Sequence, residues 1–198
     1  MPPFRALSRL TVAFALALGA TVAYAADSTP PVATSTAPKT QGSGVWYEIF
    51  VRAWYDTNGD GIGDLNGVTA KLDYLQSLGV SGIWLMPINP SPTYHGYDVT
   101  DYEGINPQYG SMADFEKLVS EAHKRGIEVI IDLVINHSSD QHPWFKSALD
   151  PHSQYRHWYT WAGKDTDLKA ISAVDGPAWH ANGKQHYLGD FTGAMPDL

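Results

Sequence analysis

The sequence predicts an α/β fold built on a parallel sheet, and three observations carry that expectation. Residues 128–137 read Glu-Val-Ile-Ile-Asp-Leu-Val-Ile-Asn-His, a nearly unbroken apolar run that suits a strand covered on both faces. Two segments with a helical apolar stripe precede it, each followed by a β-prone run. The order strand, helix, strand, helix, strand points to right-handed parallel crossovers.

The first strand is expected within Val45–Val51, with Tyr47 and Ile49 on one face. A helix follows within residues 65–78, where Val68, Leu72, Leu75 and Leu78 fall on one stripe and Gly79 stops it. Ser81 to Met86 is a second short buried strand, closed by Pro87. Residues 87–110 form a long loop carrying His95-Gly96-Tyr97-Asp98. Ser111 opens a second helix and fits a capping box with Asp114. Its stripe is Phe115, Leu118, Val119 and Ala122, and Gly126 ends it. The third strand comes next.

After His137 the pattern changes. Residues 138–198 hold four of the seven tryptophans and five of the eight histidines, with no clear helix or strand period. They are expected to be an irregular insertion at the carboxyl face of the third strand. The chain divides into 1–25, 26–43, 44–137 and 138–198.

Residues 1–25 have the form of a signal peptide. Arg5 and Arg9 supply the positive region, Leu10 to Ala20 an apolar stretch too short to span a bilayer comfortably, and Ala23-Tyr24-Ala25 a cleavage site. A membrane anchor is the alternative. Export places the protein in the periplasm or outside the cell, with no membrane partner after cleavage. Residues 26–43 are rich in Ser, Thr, Pro and Ala and are expected to be a flexible linker.

The 198 residues suffice for one domain with a real core. A hydrophobic fraction of 43% and 7 Trp, 11 Tyr and 6 Phe argue against general disorder. Formal net charge is −8, and cleavage after Ala25 leaves 11 basic and 21 acidic residues. With no basic stripe, a nucleic-acid partner is not expected. The absence of cysteine excludes a disulfide and a thiolate metal site. An acidic exported protein suits neutral substrates and cations.

Candidate sites cluster at the carboxyl ends of the strands, where parallel sheets present their chemistry. The loop Asp56-Thr57-Asn58-Gly59-Asp60-Gly61-Ile62-Gly63-Asp64 places oxygen side chains at alternate positions, as a hard-cation loop does. It resembles the start of an EF-hand, but its twelfth position is Gly67, where that motif needs Glu. Calcium fits better than magnesium, because many protein oxygens are offered. A solvated Asp/Asn/Gly turn is the competing explanation.

His137 at a strand end can donate to a sugar hydroxyl or act as a base, or it can be a satisfied core residue. Asn136 beside it can offer a carbonyl to a metal or to backbone. Asp132 lies inside an apolar run and must be paired or hydrogen-bonded; an Arg partner is expected, rather than a catalytic role. Tyr97 can pack on the C–H face of a sugar while Asp98 accepts hydroxyls; a turn with a buried Tyr is the alternative. The tryptophans at 144, 158, 161 and 179 are sugar platforms or the small core of a loop-rich subdomain.

Together these pieces resemble the α-amylase family, glycoside hydrolase family 13. The resemblance rests on Asp132-Leu133-Val134-Ile135-Asn136-His137, on His95-Gly96-Tyr97-Asp98-Val99-Thr100-Asp101-Tyr102, on Gly79 to Pro87, and on Met195-Pro196-Asp197-Leu198. It spans about residues 44–198. It implies a (β/α)8 TIM barrel, here incomplete with its first three strands and two helices, and an irregular subdomain inserted after the third strand. It implies that Tyr97, Asp98 and His137 line the sugar subsite beside the scissile bond. It implies calcium held by Asp56, Asn58, Asp60, the Ile62 carbonyl and Asp64, and a second calcium site at Asn136 and Asp197.

The form Met195-Pro196-Asp197-Leu198 is similar to members intermediate between neopullulanases and oligo-1,6-glucosidases, which implies an α-glucan or maltooligosaccharide substrate. The family's catalytic carboxylates follow the fourth, fifth and seventh strands, beyond Leu198. No catalytic residue is therefore assigned here, and the 198-residue chain alone is expected to be inactive. A transglycosylase of the same family, and a non-catalytic carbohydrate- or calcium-binding protein, are the alternatives.

Overall fold

The computed structural model describes residues 42–198. The expected signal peptide, and the linker up to residue 41, lie outside the described residues. Strand β1 (Val45–Ile49), helix α1 (Leu65–Ala70), helix α2 (Leu72–Ser77), strand β2 (Val80–Leu85), helix α3 (Met112–Lys124) and strand β3 (Glu128–Ile131) follow in that order. The three strands form one parallel sheet in the order β1-β2-β3. Glu48 pairs with Trp84, and Trp84 with Ile130, so the three carboxyl ends lie side by side.

The helices pack an apolar face onto this sheet. Val68, Leu72 and Leu75 are fully buried together with Ile49, Ile83, Leu85, Leu118 and Ala122. Each such Leu or Ile stabilises the fold by about 1.5–3 kcal/mol relative to an exposed position. Helix α3 starts with the expected capping box: the Ser111 hydroxyl accepts from the Asp114 amide, and the Asp114 carboxylate accepts from the Ser111 amide at 2.8 Å. It is followed by Gly126 at φ +69°, a conformation that suits the first residue past a helix.

Three expectations need correction. The helix over 65–78 is two short helices, broken at Lys71, whose backbone (φ −103°, ψ 6°) is not helical. The third strand pairs only over Glu128–Ile131 and does not run to His137. Nor is it covered on both faces: Ile130, Leu133 and Ile135 are 46%, 71% and 73% exposed. The helices cover only one face of the sheet: the row Glu48, Trp84 and Ile130 is exposed across all three strands, the central one included.

Residues 138–198 are irregular as expected, yet contain helix α4 (Pro143–Ala148) and an antiparallel hairpin of β4 (Trp179–Asn182) and β5 (Gln185–Leu188). They have their own small core of Phe145, Ala148, Tyr159 and Tyr187, with Trp144 and Trp161 packed against it. Among the described residues no helix is long and apolar enough to cross a membrane.

Candidate active site

The loop after β2 and the segment after β3 meet beyond the carboxyl ends of their strands. Tyr97 donates its hydroxyl to Asp132 Oδ2 at 2.8 Å, and the Trp84 indole donates to Oδ1 at 2.7 Å. Both carboxylate oxygens thus have neutral donors. Among the described residues Asp132 is held by a phenol and an indole, and the expected Arg partner is not among these contacts. The bond also fixes the Tyr97 ring. Burial first, then the Asp132 acceptor, pushes its hydroxyl up to about 12, so it stays a donor at neutral pH.

His137 is buried, and its Nε2 has no hydrogen-bond partner. Burial lowers its pKa, while the Tyr97 backbone and the carboxylates of Asp197 and Asp98 oppose the shift. The ring is accordingly neutral at pH 7. Its backbone is pinned from behind, because the Tyr102 hydroxyl donates to the His137 carbonyl at 2.8 Å. Phe191 meets the ring edge-on at 5.2 Å.

Tyr97 and His137 line one cavity of about 450 Å³, closed by His95, Phe191, Thr192 and Met195. Its size lies in the range of small-ligand sites. An apolar surface with a buried, unsatisfied imidazole nitrogen suits a molecule with C–H faces and hydroxyl groups. Asp98, the third expected sugar contact, is not among the residues lining this cavity. Its side chain is 1% exposed, and Oδ1 accepts from the Ser91 hydroxyl at 2.5 Å and from Thr93 Oγ1. Sequence reasoning missed His95 as a wall, although it sits two residues before Tyr97 and its Nδ1 accepts from the Tyr97 amide at 3.1 Å. Phe191 was also missed; it lies in a segment without periodicity.

The Asp-rich loop folds on its own carboxylates. Asp56 accepts from the amides of Asn58, Gly59 and Gly61, Asn58 from that of Asp60, and Asp60 from that of Ile62. The Gly61 bond leads in lowering the Asp56 pKa. Asp64, the last of the loop's carboxylates, is buried. It caps α1 by accepting from Gly67 N at 2.6 Å and binds both the amide and the hydroxyl of Thr57.

Asn136 and Asp197 are brought together, with Asn136 Nδ2 donating to Asp197 Oδ1 at 3.2 Å. Burial raises the pKa of Asp197, and the Asp190 amide is the largest opposing influence. Among the described residues no group of three or more His, Cys, Asp or Glu is placed to hold a metal ion.

Parallel strands alternating with helices, and an irregular insertion after the third strand, define part of an α/β barrel. Comparison with known proteins agrees. A family model described as "Alpha amylase, catalytic domain" matches residues 48–198. The chain belongs to the alpha-amylase family.

Alpha-amylase 3 of Dictyoglomus thermophilum is 46% identical over 155 residues, covering 78% of this chain and 30% of that protein. The oligo-1,6-glucosidase of Parageobacillus thermoglucosidasius is 44% identical over 162 residues, covering 78% and 29%. The crystal structure of an alpha-amylase from H. orenii superposes with a TM-score of 0.74 at 57% identity, covering 78% of this chain and 34% of that one. A mutant of the trehalulose synthase MutB gives a TM-score of 0.73 at 46% identity, covering 78% and 29%. The chain thus spans about 30% of the length of the curated relatives it matches. Its three strands are the first part of a (β/α)8 barrel.

Proposed function

We propose that this chain is the N-terminal part of an exported, retaining α-glucan hydrolase and forms one wall of its sugar subsite. The carrying observation is the cavity shared by Tyr97 and His137, with a neutral imidazole whose Nε2 is buried and unpartnered. That nitrogen suits a hydrogen bond with a sugar hydroxyl, and the Tyr97 ring, held by Asp132, suits a sugar face. Asp98 then works from behind the wall unless it exchanges Ser91 and Thr93 for substrate hydroxyls.

Retaining hydrolysis needs two carboxyl groups about 5–5.5 Å apart across the bond. Asp98 and Asp132 are both committed to hydrogen bonds with neutral donors, so neither is assigned that role. The purified 198-residue chain is expected to show no hydrolysis of maltooligosaccharides or starch; measurable release of reducing sugar by it contradicts this reading. In the full-length protein, His137→Ala is expected to cut kcat/KM for maltotriose at least tenfold, since a hydrogen bond to substrate is lost. Unchanged kinetics removes His137 from the site.

A transglycosylase is the second reading, favoured by the trehalulose synthase among the similar structures. Product analysis separates the two, because a transglycosylase yields isomerised or lengthened sugars rather than free hexose alone.

The oxygen-only donors of the loop fit a calcium ion held by Asp56, Asn58, Asp60, the Ile62 carbonyl and Asp64. The ion would neutralise three carboxylates in nine residues and brace the loop. Support for a second ion at Asn136 and Asp197 is the meeting of their side chains. Chelator is expected to lower the melting temperature of the full-length protein, and Asp60→Ala to abolish that response, because a cation bound to the native state adds stability by mass action. Identical melting with and without chelator leaves the loop a plain turn.

A further inference from the structure

A cavity of about 320 Å³ in the insertion shares no lining residue with the one at Tyr97 and His137. Arg156, Lys184 and His186 line it together with Trp161, and no aspartate or glutamate does. In a chain of net charge −8, three basic side chains gathered without an acid call for a cause. Two stretches of chain build the cavity, the segment after helix α4 and the start of β5. They are tied where the Ala162 amide donates to the His186 carbonyl at 2.9 Å. Lys184 follows the β4–β5 turn at Gly183 and is exposed.

Arg156 is held in place before any ligand arrives. Its guanidinium carbon lies 3.5 Å from the centre of the Trp161 ring, and Nη1 donates to the Ala148 carbonyl at 3.0 Å. The Trp161 indole in turn donates to the Arg156 carbonyl at 2.9 Å. One contact of this kind leaves most of the five guanidinium N–H donors unspent. Among the described residues neither Arg156 nor Lys184 has an ion pair, and the His186 ring makes no hydrogen bond. Burial lowers the Arg156 pKa, and no carboxylate opposes the shift as a nearby one would. A cation drawn partly out of water without a counter-charge is costly, and an anion in the cavity removes that cost. The planar fork of a guanidinium matches two oxygens of one group, which favours an oxyanion over a halide. The acidic charge of the rest of the chain repels an extended polyanion and leaves a small one.

We propose that this cavity binds a small oxyanion of the phosphate type, held by Arg156 together with Lys184 and His186. Bound there, the ion links the β4–β5 hairpin to the segment after helix α4 and stabilises the insertion by mass action. None of these residues lines the Tyr97–His137 cavity, so the ion binds whether or not the protein handles sugars.

The test is isothermal titration of the full-length protein with inorganic phosphate at fixed ionic strength, with chloride as the balancing salt. Saturable binding at millimolar phosphate or below is expected. It should weaken at least fivefold in Lys184→Ala and in Arg156→Gln, and stay unchanged in Lys124→Ala. Lys184 is exposed and makes no side-chain bond, so its variant folds even where the Arg156 change does not. Lys124, paired with Glu121 on helix α3, removes the same charge elsewhere. Wild-type affinity in Lys184→Ala, or equal weakening in Lys184→Ala and Lys124→Ala, overturns the proposal. So does a wild type that binds no phosphate, the result expected if a carboxylate from elsewhere in the full-length protein already fills the cavity.

Discussion

His142 caps helix α4 with a ring nitrogen: Nδ1 accepts from the Trp144 amide at 3.1 Å. An acceptor of this kind works only while unprotonated. Burial lowers the pKa of His142, opposed by Asp101, so the folded protein resists the proton that the unfolded chain takes up near pH 6.5. Below that value the unfolded state binds more protons, and stability falls as pH falls until the folded-state pKa is passed. His142→Asn retains an acceptor and does not titrate. Between pH 7 and 5 the wild type is expected to lose about 1 kcal/mol more than this variant, roughly the worth of one cap, as read from urea unfolding. Equal losses exclude the cap as the cause. At this scale the sequence is informative where a strand end fixes direction. Tyr97 and His137 follow β2 and β3 and share a cavity. The two donors that hold Asp132 were not foreseen, because an indole one strand away and a phenol 35 residues away in sequence leave no local pattern.

Helix α1 is tied to its surroundings more tightly than its 6 residues suggest. Its cap, Asp64, also holds Thr57, and a Cβ placed on Gly67 would lie 1.9 Å from the Tyr55 carbonyl oxygen. Backbone cannot yield as a side-chain tip can. Gly67→Ala is expected to destabilise by about 1–3 kcal/mol or more through overpacking, visible as a lowered denaturation midpoint. A midpoint equal to wild type means the loop is soft there. Helix α3 was legible because stripe, capping box and terminal Gly126 agree. The break at Lys71 was not, since the apolar stripe continues across it and only backbone geometry marks it. The hairpin of β4 and β5 was equally hidden: Trp179-His180-Ala181-Asn182 carries no strand alternation, and its pairing comes from the turn at Gly183, φ +60°.

Among the described residues the three-stranded sheet is open at both edges, β1 and β3, and exposed apolar side chains gather at β3. Ile130, Ile131, Leu133 and Ile135 are exposed there, beside the unpaired backbone of β3. Exposed edges of this kind invite pairing with other chains. The isolated 198-residue chain is expected to bind a hydrophobic dye and to elute from a sizing column at a mass that rises with concentration. A monomer that ignores the dye contradicts this. The overall class, a parallel sheet followed by an irregular insertion, was legible from periodicity alone. The extent of β3 was not, because an apolar run specifies burial and leaves open which neighbour provides it.

The strand order β1-β2-β3 repeats the order of the sequence. During synthesis, each strand therefore arrives next to the one made just before it, and the latest strand is always the growing margin. Chains lengthen at about 5–20 residues per second, so β3 waits seconds before anything translated later can reach it. The exposed Ile130 and Ile131 of β3 are the surface on which a further strand would pair.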